Sequence, residues 1–367
     1  MPDVQNLSPL IFEPIYKEKI WGGQGLRLKL DKNIPQNRPV GESWELSGLS
    51  GNESVVMRGP LSGKKLSEVF NAGQNINGKN AAFPLLYKFI DANRDLSIQV
   101  HPGYNNTLKS PVSGDSKTEC WYIIDAKPGT RVICGFKKGV KLQDVNDACE
   151  TGNLPDLCNY IPISSGDVVF VPAGVIHGTF ANTLIYEVQQ SSDAIFRMFD
   201  WNRVDDNGQP RPLHAKEAMN ALDMTYHEYH VIEPVKMDDI GAYHAIRVAC
   251  RYFAVEEYRC AGPTSLELPA RKTFQVITVL NGSICFSGES QAASFVKGET
   301  VFVPVSTHAY EINTEANTQF LLSYTPELVS DIISPLLRSG ASKDAIVQLG
   351  GNPSSSDLRI PLESFRS

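Results

Sequence analysis

Apolar and polar residues alternate in short runs along most of the chain, a period of two that belongs to half-buried strands rather than to helices. Runs rich in β-branched and aromatic residues, punctuated by Gly, Pro and Asn, dominate residues 83–135, 161–200 and 245–325. The clearest are CWYIIDA (120–126), TRVICGF (130–136), DVVFVPA (167–173), TLIYEVQ (183–189), FQVITVLNG (274–282) and TVFVPV (300–305). A helical period fits only about 64–72, 141–151, 214–223 and 326–347. The pattern therefore predicts a mainly β protein with a few peripheral helices. One stretch carries an oddity. In LSIQVH (96–101) alternation puts Leu96, Ile98 and Val100 on one face and Ser97, Gln99 and His101 on the other. A strand face of hydroxyl, amide and imidazole suits either solvent or something that binds oxygen and nitrogen ligands.

The segment GDVVFVP at 166–172 returns as GETVFVP at 298–304, an offset of 132 residues, and so predicts two similar β domains. Gly166, Pro172, Ala173, Gly174, His177 and Asn182 are spaced as in the second motif of the cupin superfamily. That resemblance implies a double-sheet jelly-roll barrel for each domain. In the later copy Pro304 is followed by Val305, Ser306, Thr307 and His308, so the glycine is lost and the histidine displaced, and the strand at 274–282 holds no histidine. The second barrel is accordingly expected to be a structural or oligomerising copy without metal, with His308 a turn residue. The expected division is a metal-binding catalytic domain with helical decoration at 1–235, a degenerate cupin-like domain at 236–325 and an extension at 326–367 that either caps the second barrel or meets a partner.

Composition narrows the function classes. The 367 residues are 42% hydrophobic and 20% charged with a net charge of −7, which fits a globular protein with a large core and disfavours a general nucleic-acid binder. No run approaches the length of a membrane span, and the first residues, MPDVQNLSPLIFEPIYKEKIWGG, lack the basic start, apolar core and cleavage site of a signal peptide. The seven cysteines are scattered without CxxC spacing, the usage expected of reduced thiols in a cytoplasmic protein.

Gln99 and His101 lie two residues apart on one strand, His177 follows a turn that brings another strand back across such a barrel, and Glu119 opens a strand after a loop at about 102–117. Two imidazoles, a carboxylate and an amide oxygen make a candidate metal site with room for water or substrate, for which zinc is the default ion. Each residue alone is weak evidence, since a lone histidine at a strand end is ordinarily solvated or hydrogen-bonded. The polar strand face combined with the cupin-type histidine carries the reading.

PLLYKFIDANRDLSIQVHPG (84–103), KTECWYII (117–124), PAGVIHGTF (172–180) and SSDAIFRMFDWNR (191–203) closely resemble the type I mannose-6-phosphate isomerases, and IWGG (20–23) and GESWELSGL (41–49) resemble N-terminal features of that family's shorter bacterial branch. The resemblance runs in order over about residues 10–325. It implies one zinc ion per chain, held by Gln99, His101, Glu119 and His177. It also implies Lys117 as the proton-transfer lysine, Arg197 and Asp193 as the conserved arginine and acid of the segment after the last ligand, Ser97 as a phosphate contact and Arg203 in the place of a phosphate-binding lysine. The implied reaction interconverts mannose 6-phosphate and fructose 6-phosphate, in a monomer or homodimer acting on a free sugar phosphate.

Other polar residues stay open at this level. Glu42, Trp44 and Glu45 either line a cleft or brace a strand, Lys88 and Asp91 are expected behind the ligands, His214 in the first turn of a surface helix, and TYHEYH (225–230) in a connector rather than a metal site. Two rival readings keep the fold: a zinc-bound sugar-phosphate sensor without turnover, and another cupin enzyme such as an iron oxygenase, which shares a core of two histidines and a carboxylate.

Overall fold

The computed structural model describes residues 8–73, 82–103, 116–204, 207–237, 241–287, 293–305 and 310–365. His308 lies outside the described residues.

Four antiparallel sheets form two barrels. In the first, a six-stranded sheet runs in the spatial order Ile15–Gly23, Val40–Ser47, Leu85–Ala92, Thr183–Gln190, Glu119–Ala126, Val168–Val171. Opposite it lies a five-stranded sheet in the order Phe196–Phe199, Ile98–Val100, His177–Thr179, Arg131–Phe136, Cys158–Pro162. Trp21, Ile90, Trp121 and Val169 from one sheet pack with Val132, Cys134 and Ile161 from the other to form the barrel interior. The outer face of the five-stranded sheet is covered by helices Leu142–Thr151 and Ala215–Ala221, whose Val145, Ala148, Ala218 and Ala221 pack on Ile98, Val100 and Met198.

The second barrel pairs a seven-stranded sheet with a four-stranded one. The seven-stranded sheet takes its edge strand, Leu10–Ile11, from the start of the chain, with Leu10 opposite Phe302 and Ile11 opposite Val301. The two large sheets pack back to back through one continuous core that includes Tyr87, Phe89 and Tyr186 of the first barrel and Phe274, Phe302 and Phe320 of the second. Polar pairs cross the same seam: Thr278 Oγ1 donates to Tyr186 Oη at 2.8 Å and Tyr122 Oη to Glu257 Oε1 at 2.8 Å.

The duplicated motif has a local cause. Gly166 and Gly298 both sit in the left-handed region, at φ 92° and 83°, and each turn feeds a strand, Val168–Val171 or Thr300–Val303, that ends at a proline. At Gly298 a side chain is doubly excluded, because a Cβ would stand 2.0 Å from Leu30 O.

The predicted strands form, and three of the four predicted helices form close to their expected limits. The long helix expected at 326–347 is instead three pieces, Leu328–Ile333, Ser334–Arg338 and Lys343–Gln348, because Pro335 has no N–H to continue the first and Gly340 turns the chain at φ 83°. This extension caps the second barrel, with Ile332, Ile333, Leu336, Ile346, Leu349 and Leu358 all buried. No helix among the described residues is long and apolar enough to cross a membrane. The cysteines are all unpaired and five of them are buried.

Candidate metal centre and active-site cleft

The strand Ile98–Val100 is shorter than LSIQVH suggests, because regular pairing begins only at Ile98. Ile98 and Val100 pack outward under the helices, while Leu96 packs with the barrel interior and lines the cleft, contrary to the simple alternation. Its N–H donates to Thr179 O and its carbonyl accepts from Trp201 Nε1, contacts that hold residues 95–97 off the strand path. Gln99 faces inward, opposite His177 on one neighbouring strand and Arg197 on the other, so strand register alone brings these three together. Glu119 enters from the facing sheet, as the first residue of Glu119–Ala126.

His101, Glu119 and His177 are buried, and one ligand atom from each lies within 4.8 Å of the others. Both imidazoles turn Nδ1 to a backbone carbonyl, His101 to Ala194 O at 2.7 Å and His177 to Val175 O at 2.9 Å. Nδ1–H is therefore the donor in each ring and Nε2 keeps its lone pair, directed at Glu119: His101 Nε2 is 3.3 Å from Oε2 and His177 Nε2 is 3.6 Å from Oε1. Burial pushes the His101 imidazole down to about 3, helped by Lys117, and burial likewise lowers His177, so both rings are neutral near pH 7. Burial alone would raise the Glu119 carboxyl, but Lys117 holds it well below the usual carboxylate range. Lys117 Nζ stands 2.6 Å from Glu119 Oε2 and 2.8 Å from His101 Nε2. The contact is an ion pair without hydrogen-bond alignment, and Oε2 is left as a buried acceptor with no aligned donor. Two neutral imidazoles and an under-satisfied carboxylate at this spacing can hold a divalent metal ion. Gln99 stands beside the group with its amide nitrogen 3.2 Å from His177 Nε2 and its oxygen turned to Ser97 Oγ at 3.3 Å. Ligation through oxygen calls for the opposite amide orientation.

The cleft beside this group is lined by Ser97, Gln99, Lys117, Glu119, His177 and Arg197, together with residues the sequence did not single out as cleft groups, Lys19, Trp121, Glu187 and Arg211. Glu42 lines it too, accepting from Trp44 Nε1 at 2.8 Å and pairing with Lys19 at 3.2 Å, while Trp44 and Glu45 stay in the wall. Lys88 lines the cleft rather than standing behind it, 2.6 Å from Glu187 Oε2. Burial, then Lys117, bring its ammonium down to about 8 against the pull of Glu42, Glu119 and Asp193. A charged residue in the middle of an apolar strand, as in LLYKFIDA or TLIYEVQQ, is the signal that marks Lys88 and Glu187.

Arg197 donates from Nη1 to Pro212 O at 2.8 Å, and its buried Nε has no partner among the described residues. His214 precedes the helix Ala215–Ala221 as expected, and its Nδ1 accepts from the Arg197 backbone N–H at 3.1 Å. Arg203 turns away from the cleft, binding Asp200 and the Asp95 carbonyl. Arg211, in a segment without periodic pattern, instead lines the cleft and holds Asp200 through Nε at 2.8 Å and Nη2 at 2.5 Å. Asp193 is exposed at the turn before Phe196–Phe199. A larger cavity, bounded by Ala173, Asp223, Arg251 and Ser355, carries no comparable set of ligand atoms and lies outside the barrel interior.

Residues 10–122 match the model of the phosphomannose isomerase type I catalytic domain, and residues 245–325 that of the mannose-6-phosphate isomerase cupin domain. The chain is 34% identical over 320 residues to the probable mannose-6-phosphate isomerase GmuF of Bacillus subtilis, an alignment spanning 86% of this chain and 99% of that protein. The chain belongs to the type I phosphomannose isomerases. Other members of the family bear this out: mannose-6-phosphate isomerase ManA of B. subtilis is 32% identical over 83% of this chain and 96% of its own. The crystal structure of a B. subtilis mannose 6-phosphate isomerase superposes with a TM-score of 0.78 at 31% identity, covering 86% of this chain and 99% of that one.

Proposed function

We propose that the chain is a zinc-dependent aldose-ketose isomerase that interconverts mannose 6-phosphate and fructose 6-phosphate in the cytoplasm. The observation that carries this reading is the convergence of His101, Glu119 and His177 at the wall of a cleft that also holds Lys117, Lys88 and Arg197. Zinc suits a set of two imidazoles and a carboxylate, with Gln99 as a fourth ligand after its amide turns over. Bound there, the ion would act as a Lewis acid that polarises a carbonyl without changing oxidation state.

The reaction moves a proton between C1 and C2 of the open-chain sugar through a cis-enediol(ate), and the remaining needs fall on side chains. Arg197 stays protonated although burial and Arg211 lower its pKa, so it offers fixed positive charge to the developing enediolate. Lys117 is assigned the proton transfer. A second candidate is Lys88, favoured by a pKa of about 8, which leaves an appreciable neutral fraction near the working pH. Ser97 and Arg211 face the cleft where a phosphate can be held, with the planar guanidinium suited to its oxygens. Arg203 supports Arg211 through their shared partner Asp200, and Asp193 is assigned to ring opening. A coupled assay of hexose 6-phosphate isomerisation on chelator-treated protein, before and after zinc is restored, tests the reading. Zinc-dependent turnover of mannose 6-phosphate is expected. Full metal loading with no turnover of any sugar phosphate would sink the isomerase and leave the sensor or another cupin enzyme.

A further inference from the structure

The central strand Thr183–Gln190 ends in two consecutive glutamines, and neither reaches the cleft. Gln189 is fully buried and lies in register with Glu119. Its Nε2 donates to Ser192 O at 2.6 Å and to Gln190 O at 3.0 Å. Both acceptors belong to the tight turn 190–194, which the Ser192 N–H to Gln190 O bond and the Ala194 N–H to Ser192 Oγ bond also shape. That turn presents the Ala194 carbonyl to His101 Nδ1. Gln190 works on the other side. Its Oε1 accepts from Thr118 N at 3.0 Å and from Ser116 Oγ at 3.4 Å, and its own N–H donates to Thr118 O at 3.0 Å. Three bonds thus bracket Lys117 just before the ladder of Glu119–Ala126 begins, beside the bond from its own N–H to Pro102 O.

We infer that Gln189 and Gln190 are positioning residues that act as one latch: Gln189, as a donor, sets the turn whose carbonyl orients His101, and Gln190, as an acceptor, sets the segment carrying Lys117. The inference rests on the proposed metal-dependent isomerase. Its physical basis is that a ligand's outer partners fix its ring orientation, and that losing such a partner commonly weakens metal binding about 10-fold or more. A strand terminus in which one amide serves only as donor and its neighbour's only as acceptor gives the two positions opposite chemical requirements.

Those requirements define the test. Gln→Met keeps length and volume but removes both polar functions, whereas Gln→Glu keeps the acceptor and removes the donor. Gln189→Met is expected to weaken zinc binding about 10-fold, read by competition with a chromophoric chelator, and Gln189→Glu is expected not to restore it. Gln190→Met is expected to lower kcat about 10-fold with KM and zinc content little changed, and Gln190→Glu to recover most of that loss. If Gln189→Met does not fold, zinc affinity of Gln189→Glu alone decides the donor half. Equal zinc affinity in the Gln189 variants and the unaltered protein would overturn that half. An unchanged kcat in Gln190→Met, or a glutamate that rescues neither position or both, would overturn the assignment. Should the unaltered protein bind zinc yet fail to isomerise, the isomerase reading fails, while the zinc titration of the Gln189 variants still judges the latch at His101.

Discussion

His101 and His177 each commit the Nδ1 proton to a backbone carbonyl, which leaves two Nε2 lone pairs and one carboxylate oxygen facing inward, where Lys117 Nζ and the Gln99 amide nitrogen meet them. His101→Ala is expected to lose zinc and activity together, measured by metal analysis of the purified protein and by the coupled assay. Lys117→Met is expected to keep its zinc and lose at least about 100-fold in kcat, in line with the loss of a general base. Metal loss in the lysine variant would mean that Lys117 acts through Glu119 instead. The meeting of His101, Glu119 and His177 was legible in sequence, because His177 and Glu119 each open a strand and His101 directly follows Ile98–Val100. Arg211 was not legible: its place in the cleft depends on Asp200, 11 residues earlier, drawing both Arg203 and Arg211 to one carboxylate, and no periodicity encodes that. Leu96 was misplaced for a related reason, since residues outside the regular ladder do not obey its alternation.

Two strand-level features of the second barrel carry stability. Glu256 on Ala254–Cys260 is buried and accepts from His244 at 2.8 Å, Arg271 at 2.9 Å, Tyr258 at 3.1 Å and also Tyr324, while Arg271 reaches Asp331 of the extension at 3.1 Å. Burial alone would raise this carboxyl, but His244 and Arg271, with the Tyr324 hydroxyl, bring it down to about 2. A carboxylate lowered on folding stabilises the fold above its unfolded pKa near 4.5, and that stabilisation is lost as pH falls from about 4.5 to about 2. The span corresponds to about 3 kcal/mol. Melting curves across this window should show a steep acid-side loss of Tm that is flattened in Glu256→Gln, a variant also expected to be about 3 kcal/mol less stable at pH 7. The second feature is the turn at Gly298, where both φ and the Leu30 carbonyl exclude a side chain. Gly298→Ala should lower stability by more than about 2 kcal/mol in urea unfolding, whereas Gly166→Ala, also at positive φ but with open space around it, should lower it less.

At the scale of the whole molecule the barrels are joined by more than a linker. Tyr122, Glu257 and Gln319 share hydrogen bonds across the seam, and Arg247 reaches Gly166 O from the second barrel. The repeat announced two barrels but not this back-to-back packing, because a buried strand reads the same whichever sheet covers it. Nor did it announce that the extension seals the second barrel, since its apolar positions fit a helix packed anywhere. A chain ending at residue 326 should expose the surface now covered by Ile332, Ile333, Leu336 and Leu349 and lose the Arg251–Asp357 pair. Dye binding to exposed apolar surface and a Tm lowered by more than about 5 °C are the expected readouts.

The pairing of Leu10–Ile11 with Thr300–Val303 sets a timetable for synthesis. During synthesis Leu10 and Ile11 find their partner strand only when residues near 303 have emerged. At roughly 5–20 residues per second that wait lasts on the order of 15–60 s, during which the outer aromatic face of the first barrel stays uncovered. The apolar face around Tyr87, Phe89 and Tyr186 is thus made early but covered late.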